Sequence, residues 1–73
     1  FMDNNQISIN ADIVLQLMNN TPSGLTYNEL KERCHLSDKD LSMAIGWLVR
    51  ENKIMYLSDL DNDRLYLNVY FYF

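Results

Sequence analysis

The sequence predicts an α+β fold in which three helices are followed by a β-hairpin. Residues 21–24 and 59–63 are rich in Pro, Gly, Asn and Asp and interrupt the chain. The segments before Asn52 combine capping residues with apolar residues at helical spacing. Residues 54–58 and 64–73 are rich in β-branched, aromatic and aliphatic side chains, which is typical of strands.

The first helix is predicted to run from about Ile9 to Met18. Ile9, Ile13 and Leu17 repeat every four residues, with Val14 and Met18 beside them. This spacing places the five side chains in one stripe along a helix. We expect the stripe to face the core.

A capping box marks the start of the second helix. Thr26 can accept a hydrogen bond from the amide of Glu29, whose side chain can reach back to the amide of Thr26. The helix is predicted to end near Cys34. Because the chain has one Cys, no internal disulfide can form, and we expect Cys34 to be a buried apolar residue in a reducing, cytoplasmic compartment.

The third helix begins in a similar way. Ser37 is the predicted cap and Asp40 its shorter, weaker partner. Since His35 and Leu36 alone separate the two helices, they form a predicted helix-turn-helix. The residues of this helix expected in the core are Leu41, Ala44, Ile45, Leu48 and Val49.

The hairpin alternates between two sets of side chains. Its first set is expected to cover the helices, and its second set to face outward. A short strand at Leu25 and Thr26 completes the predicted sheet. The first set is Leu65, Leu67, Val69, Phe71 and Phe73, and the second is Tyr66, Asn68, Tyr70 and Tyr72.

This order of elements is that of a winged helix-turn-helix with a β-hairpin wing. Residues 45–54, Ile-Gly-Trp-Leu-Val-Arg-Glu-Asn-Lys-Ile, resemble the Leu-Gly-Trp-Leu-x-Arg-Glu-Gly-Lys-Ile segment of a small bacterial winged-helix family of unknown function. Asn52 stands where that family has Gly, and Asn also tolerates a left-handed cap. The length of 73 residues predicts a single domain over residues 1–73, compact over about 9–69. The resemblance implies the winged-helix fold and a regulatory or binding role.

Nothing in the sequence predicts catalysis, a cofactor or a metal. Cys34 and His35 are adjacent, and neighbouring helical residues do not face each other. Residues 59–63 resemble the start of a calcium loop, but Arg64 and Tyr70 occupy the positions that need Gly and Glu. No run of about 18 apolar residues could cross a membrane. We therefore expect a protein that is not an enzyme and does not enter a membrane.

The outward side of the third helix is the first candidate site. In a DNA-binding winged helix this side enters the major groove, where Lys39, Ser42 and Arg50 would contact phosphates or bases, with Arg64 on the wing. However, the chain has a net charge of −4, residues 37–51 sum to −1 and residues 59–64 sum to −2. Such a surface repels nucleic acid.

A protein partner is the second candidate. Met43, Gly46 and Trp47 would form an apolar notch, and Trp and Met are favoured interface residues. Alternatively, Trp47 packs onto its own domain. The aromatic tail, which includes Tyr70, Phe71 and Tyr72, would join two copies as a homodimer or else fray. The charge favours protein interaction or homodimerisation, and a DNA-binding transcriptional regulator remains the alternative.

Overall fold

The predicted order of elements is confirmed by a computed structural model, which describes residues 4–58 and 63–68. Three helices precede a hairpin, and a short strand lies between the first two helices. The elements are α1 (Asn4–Asn19), β1 (Leu25–Thr26), α2 (Tyr27–Cys34), α3 (Asp38–Arg50), β2 (Ile54–Ser58) and β3 (Asp63–Leu67).

The three strands form one antiparallel sheet in the order β1-β3-β2. Strand β3 is central, with Leu65 opposite Leu25 of β1 and Tyr56 of β2. Strand β2 is therefore an edge strand of this sheet. The predicted continuation of β3 to residue 73 lies outside the described residues after Asn68.

Helix α1 differs from its prediction in start and in orientation. It begins at Asn4, and its buried side chains are Ile7, Asn10, Ala11, Val14 and Met18. The predicted stripe was wrong for two of its members, since Ile9 and Ile13 are exposed. Both sets have helical spacing, so spacing could not select between them. Helix α1 packs mainly against α3, and the small Ala11 of α1 and Ala44 of α3 are both buried. Small side chains allow two helices to approach closely, and this favours the observed orientation.

The caps of α2 and α3 fix where these helices begin. The amide of Glu29 donates to Thr26 Oγ1 at 3.2 Å, and the amide of Thr26 donates to Glu29 Oε1 at 2.9 Å, so the predicted capping box is confirmed. At Ser37 the structure shows one of the two bonds of such a box, from the amide of Asp40 at 3.2 Å. The shorter Asp side chain explains the difference.

Two left-handed residues end the helices and set the turns. His35 has φ 60° at the end of α2, and Asn52 has φ 60° just after α3. Asn52 thus adopts the conformation for which Gly is usually selected, as predicted. The short turn holds α2 against α3, and the Tyr27 hydroxyl donates to Asp38 Oδ1 at 2.8 Å across it.

The core lies between the three helices and one face of the sheet. Leu65 is buried and Leu67 packs against the core, as expected for that face. Cys34 is also buried, whereas Val49 is exposed, so its prediction as a core residue was wrong. The remaining buried core residues are Ala11, Val14, Met18, Leu25, Leu30, Leu41, Ala44, Leu48 and Ile54.

Candidate functional site

The outward side of α3 is open to solvent in the structure. This surface, called the α3 outer face below, has no buried member. The five residues lie on the side opposite the buried Leu41, Ala44 and Leu48, because helical residues repeat every 3.6 positions. Its members are Lys39, Ser42, Met43, Gly46 and Arg50.

Positive charge sits at the two ends of the α3 outer face. Lys39 and Arg50 are eleven residues apart, which is about 16 Å along a helix. The surface between them consists of the uncharged Ser42, Met43 and Gly46. Asp38, Asp40 and Glu51 adjoin the two cations in sequence, so this helix presents no continuous row of positive side chains.

Trp47 has a dual environment at the border of this face. Its side chain is half-buried and packs against the core cluster. It also lines a cleft of about 460 Å³ together with Arg50 and Glu51. Trp47 thus contacts the core and also leaves part of its surface to solvent, as a large ring can do.

Gly46 faces empty space. Apart from its two chain neighbours and its own helix backbone, no atom in the described part of the chain lies within 4 Å of where a Cβ would stand. The described residues beyond these neighbours therefore leave the position next to Gly46 open. The space next to Met43 is free for an external group.

Arg64, the fourth predicted nucleic-acid contact, is engaged in contacts within the domain. Its guanidinium donates to the carbonyl of Gly24 at 3.1 Å and lies 3.7 Å from Glu29 Oε1. The other predicted contacts, Lys39, Ser42 and Arg50, share the α3 outer face. Of the predicted partner-binding residues, Tyr70, Phe71 and Tyr72 lie outside the described residues.

Sequence reasoning missed a polar cluster at the loop end of the hairpin. Asp63 accepts hydrogen bonds from the Tyr56 hydroxyl and from Ser58 Oγ, the latter at 2.8 Å. These bonds lower the pKa of Asp63, and the bond to Asp63 raises the pKa of Tyr56. The sequence could have indicated this cluster only through the pairing of Ser58 with Asp63, and that pairing requires the register of the hairpin.

The described residues show neither a grouping of metal ligands nor a membrane-spanning helix. Within residues 4–58 and 63–68, no three His, Cys, Asp or Glu side chains are grouped to hold a metal ion. None of the described helices is long and apolar enough to cross a membrane.

The helix-turn-helix of α2 and α3, followed by a hairpin wing, defines a winged helix-turn-helix. Residues 2–68 match the family described as a winged helix-turn-helix domain (DUF2582), and the chain belongs to this family. Winged helix-turn-helix domains generally serve as binding modules.

A solved structure supports the same conclusion. The chain is similar to protein BT2368 from Bacteroides thetaiotaomicron, solved by solution NMR, with a TM-score of 0.84 and 30% sequence identity. The match covers 99% of this chain and 87% of that one. Among curated proteins no match was found.

Proposed function

We propose that this domain is a non-catalytic protein-interaction module that binds its partner through the α3 outer face and Trp47. The observation that carries this proposal is the open, uncharged centre of the face. Met43 is 38% exposed, Gly46 has free space above it and Trp47 offers part of a large ring. Met and aromatic residues are enriched at protein interfaces.

Electrostatics supports the same choice. Of the six Lys and Arg residues, Arg64 and Lys31 are engaged inside the domain, Lys31 through the carbonyl of Leu36 at 3.2 Å. The affinity of proteins for nucleic acid rests largely on contacts between cations and phosphates. Lys39 and Arg50, set at opposite ends of α3, contribute little of this kind.

A photoreactive residue placed at Met43 of the full chain tests the proposal in cells. We expect one defined protein adduct from position 43, because this side chain lies at the centre of the face. The same residue placed at Ile9, an exposed apolar position on α1, is the matched control and gives no such adduct. Equal labelling from both positions, or an adduct that nuclease removes, contradicts the proposal.

DNA binding is the second candidate, because α3 is the second helix of a helix-turn-helix and its polar Lys39 and Ser42 are exposed. Titration of the full chain into a mixed-sequence duplex at about 50 mM salt decides it, since phosphate contacts are strong there. We expect no saturable binding. Binding that falls with added salt and is lost in both K39A and R50A favours the regulator instead.

A further inference from the structure

Strand β2 has a free backbone edge in the described part of the sheet. β3 pairs with one side of β2 along all five residues, from Ile54 opposite Leu67 to Ser58 opposite Asp63. The other side has no partner strand among residues 4–58 and 63–68. Free strand edges present N–H and C=O groups that can pair with another chain.

Several of the usual protections of an edge strand are absent from β2 itself. Its sequence, Ile-Met-Tyr-Leu-Ser, contains no charge and no Pro. Its register with β3 is continuous, so no bulge twists the edge away. Five residues is also an ordinary strand length, and Tyr56, Leu57 and Ser58 are exposed. Proteins that must stay monomeric protect such edges.

The outer face beside this edge is apolar. Met55 and Leu57 share one face of β2 and line a shallow groove with Tyr66 and Pro22. The ring of Tyr66 packs over Gly24 so closely that a Cβ at position 24 would lie 2.6 Å from a ring carbon. The groove thus lies next to the free edge of β2.

We propose that β2 pairs antiparallel with β2 of a second copy of this chain, about a two-fold axis at Tyr56. In this register Met55 of each copy lies opposite Leu57 of the other, and the two Tyr56 residues face each other. The two ends of β2 also carry opposite charges, because Lys53 precedes the strand and Asp63 lies opposite Ser58 at its other end. Antiparallel pairing brings the basic end of one copy to the acidic end of the other.

This interface goes beyond the proposed function, because it uses the sheet edge and leaves the α3 outer face free. The sequence had placed a dimer contact on the aromatic tail. That tail lies outside the described residues, and the contact proposed here uses the edge of β2 instead. A contact of five residues on each side is small, so the dimer is a weak one that depends on concentration.

Sedimentation equilibrium of the full chain up to about 1 mM tests the pairing, in the range of weak complexes. We expect a concentration-dependent dimer, and we expect L57K to raise its dissociation constant at least about tenfold, because a Lys on an edge opposes strand pairing. I9K is the matched control, since Ile9 and Leu57 are both 51% exposed and the charge change is identical. I9K and M43K should dimerise like the unchanged chain.

Cross-linking adds a test of the register. Directly paired residues have Cα atoms about 4.5–5.5 Å apart, within the range that a disulfide bridges. We therefore expect Y56C to form a disulfide-linked dimer under mild oxidation and I9C not to do so. A monomer at every concentration, a dimer that L57K leaves intact, or a dimer that M43K abolishes would overturn the proposal. The last result would place the contact on α3 and support the proposed function instead.

Discussion

Gly24 and Gly46 stand in opposite environments, so that replacement by Ala is expected to change stability in opposite directions. Gly24 has φ +85°, and a Cβ there would lie 2.6 Å from a ring carbon of Tyr66. We expect G24A to lower the free energy of unfolding by about 2 kcal/mol, because both the backbone and the ring resist the added methyl. Urea unfolding followed by circular dichroism measures this loss.

G46A is the control with the opposite sign. Gly46 has helical φ and open space around its Cβ position, so Ala removes backbone freedom at no steric cost. We expect a gain of about 1 kcal/mol in the free energy of unfolding. A loss in G46A, or no change in G24A, would contradict this assignment of the two glycines.

Trp47 contributes both to the core and to the exposed surface, and truncation of its side chain measures the contribution to the core. We expect W47A to lower the free energy of unfolding by about 1–3 kcal/mol, since the ring is half-buried. L48A, at a residue that is 1% exposed, should cost more, about 2–5 kcal/mol. Thermal and urea unfolding compare the two variants. An equal or larger loss in W47A would place the whole ring in the core and remove it from the proposed interface.

At the scale of the elements, the N-terminal cap of α2 gives the fold a dependence on pH. The hydrogen bond from the Thr26 amide holds the pKa of Glu29 below its ordinary value of 4.5, and Arg64 and Arg33 add to the effect. A lowered folded pKa means that the charged side chain stabilises the fold above about pH 4.5. That stability is lost as the pH falls through the folded pKa.

Replacing Glu29 by Gln keeps an acceptor and removes the charge. We expect E29Q to be less stable than the unchanged chain near pH 7, and the difference to shrink as the pH falls below about 4.5. Urea unfolding at several pH values measures it. E32Q, at an exposed position of the same helix, controls for the loss of one carboxylate. A difference between E29Q and the unchanged chain that grows towards low pH would refute the role of the charge.

Element boundaries were predictable where a local signal exists. Thr26 and Ser37 marked the starts of α2 and α3, and Asn52 marked the turn after α3, because caps act within one turn of the chain. The start of α1 was missed, because the prediction began the helix at Ile9, the first member of a convincing stripe. Where such a helix begins depends in part on what it packs against.

Across the whole molecule, Arg64 connects parts of the fold that are distant in sequence. Its bond to the Gly24 carbonyl spans forty residues and ties β3 to the turn before β1, while Glu29 brings in α2. We expect R64A to lower the free energy of unfolding by about 1 kcal/mol, because this charged bond is partly exposed. Thermal unfolding measures the change.

The exposed cations of α3 provide the comparison. We expect K39A and R50A to change the free energy of unfolding by less than about 0.5 kcal/mol, as is usual at exposed positions. If R64A were as harmless as these two, Arg64 would be as free for a partner as they are. The three variants thus sort the predicted nucleic-acid contacts into structural and available residues.

The pattern of apolar residues, caps and turn residues was enough to predict three helices, a hairpin and the order that makes a winged helix, because these signals act over a few residues. It also located the exposed side of α3. The orientation of α1, the half-buried state of Trp47, the engagement of Arg64 and the free edge of β2 all depend on contacts between distant segments. Such contacts follow from packing in three dimensions, and a periodic pattern in one dimension is compatible with several of them.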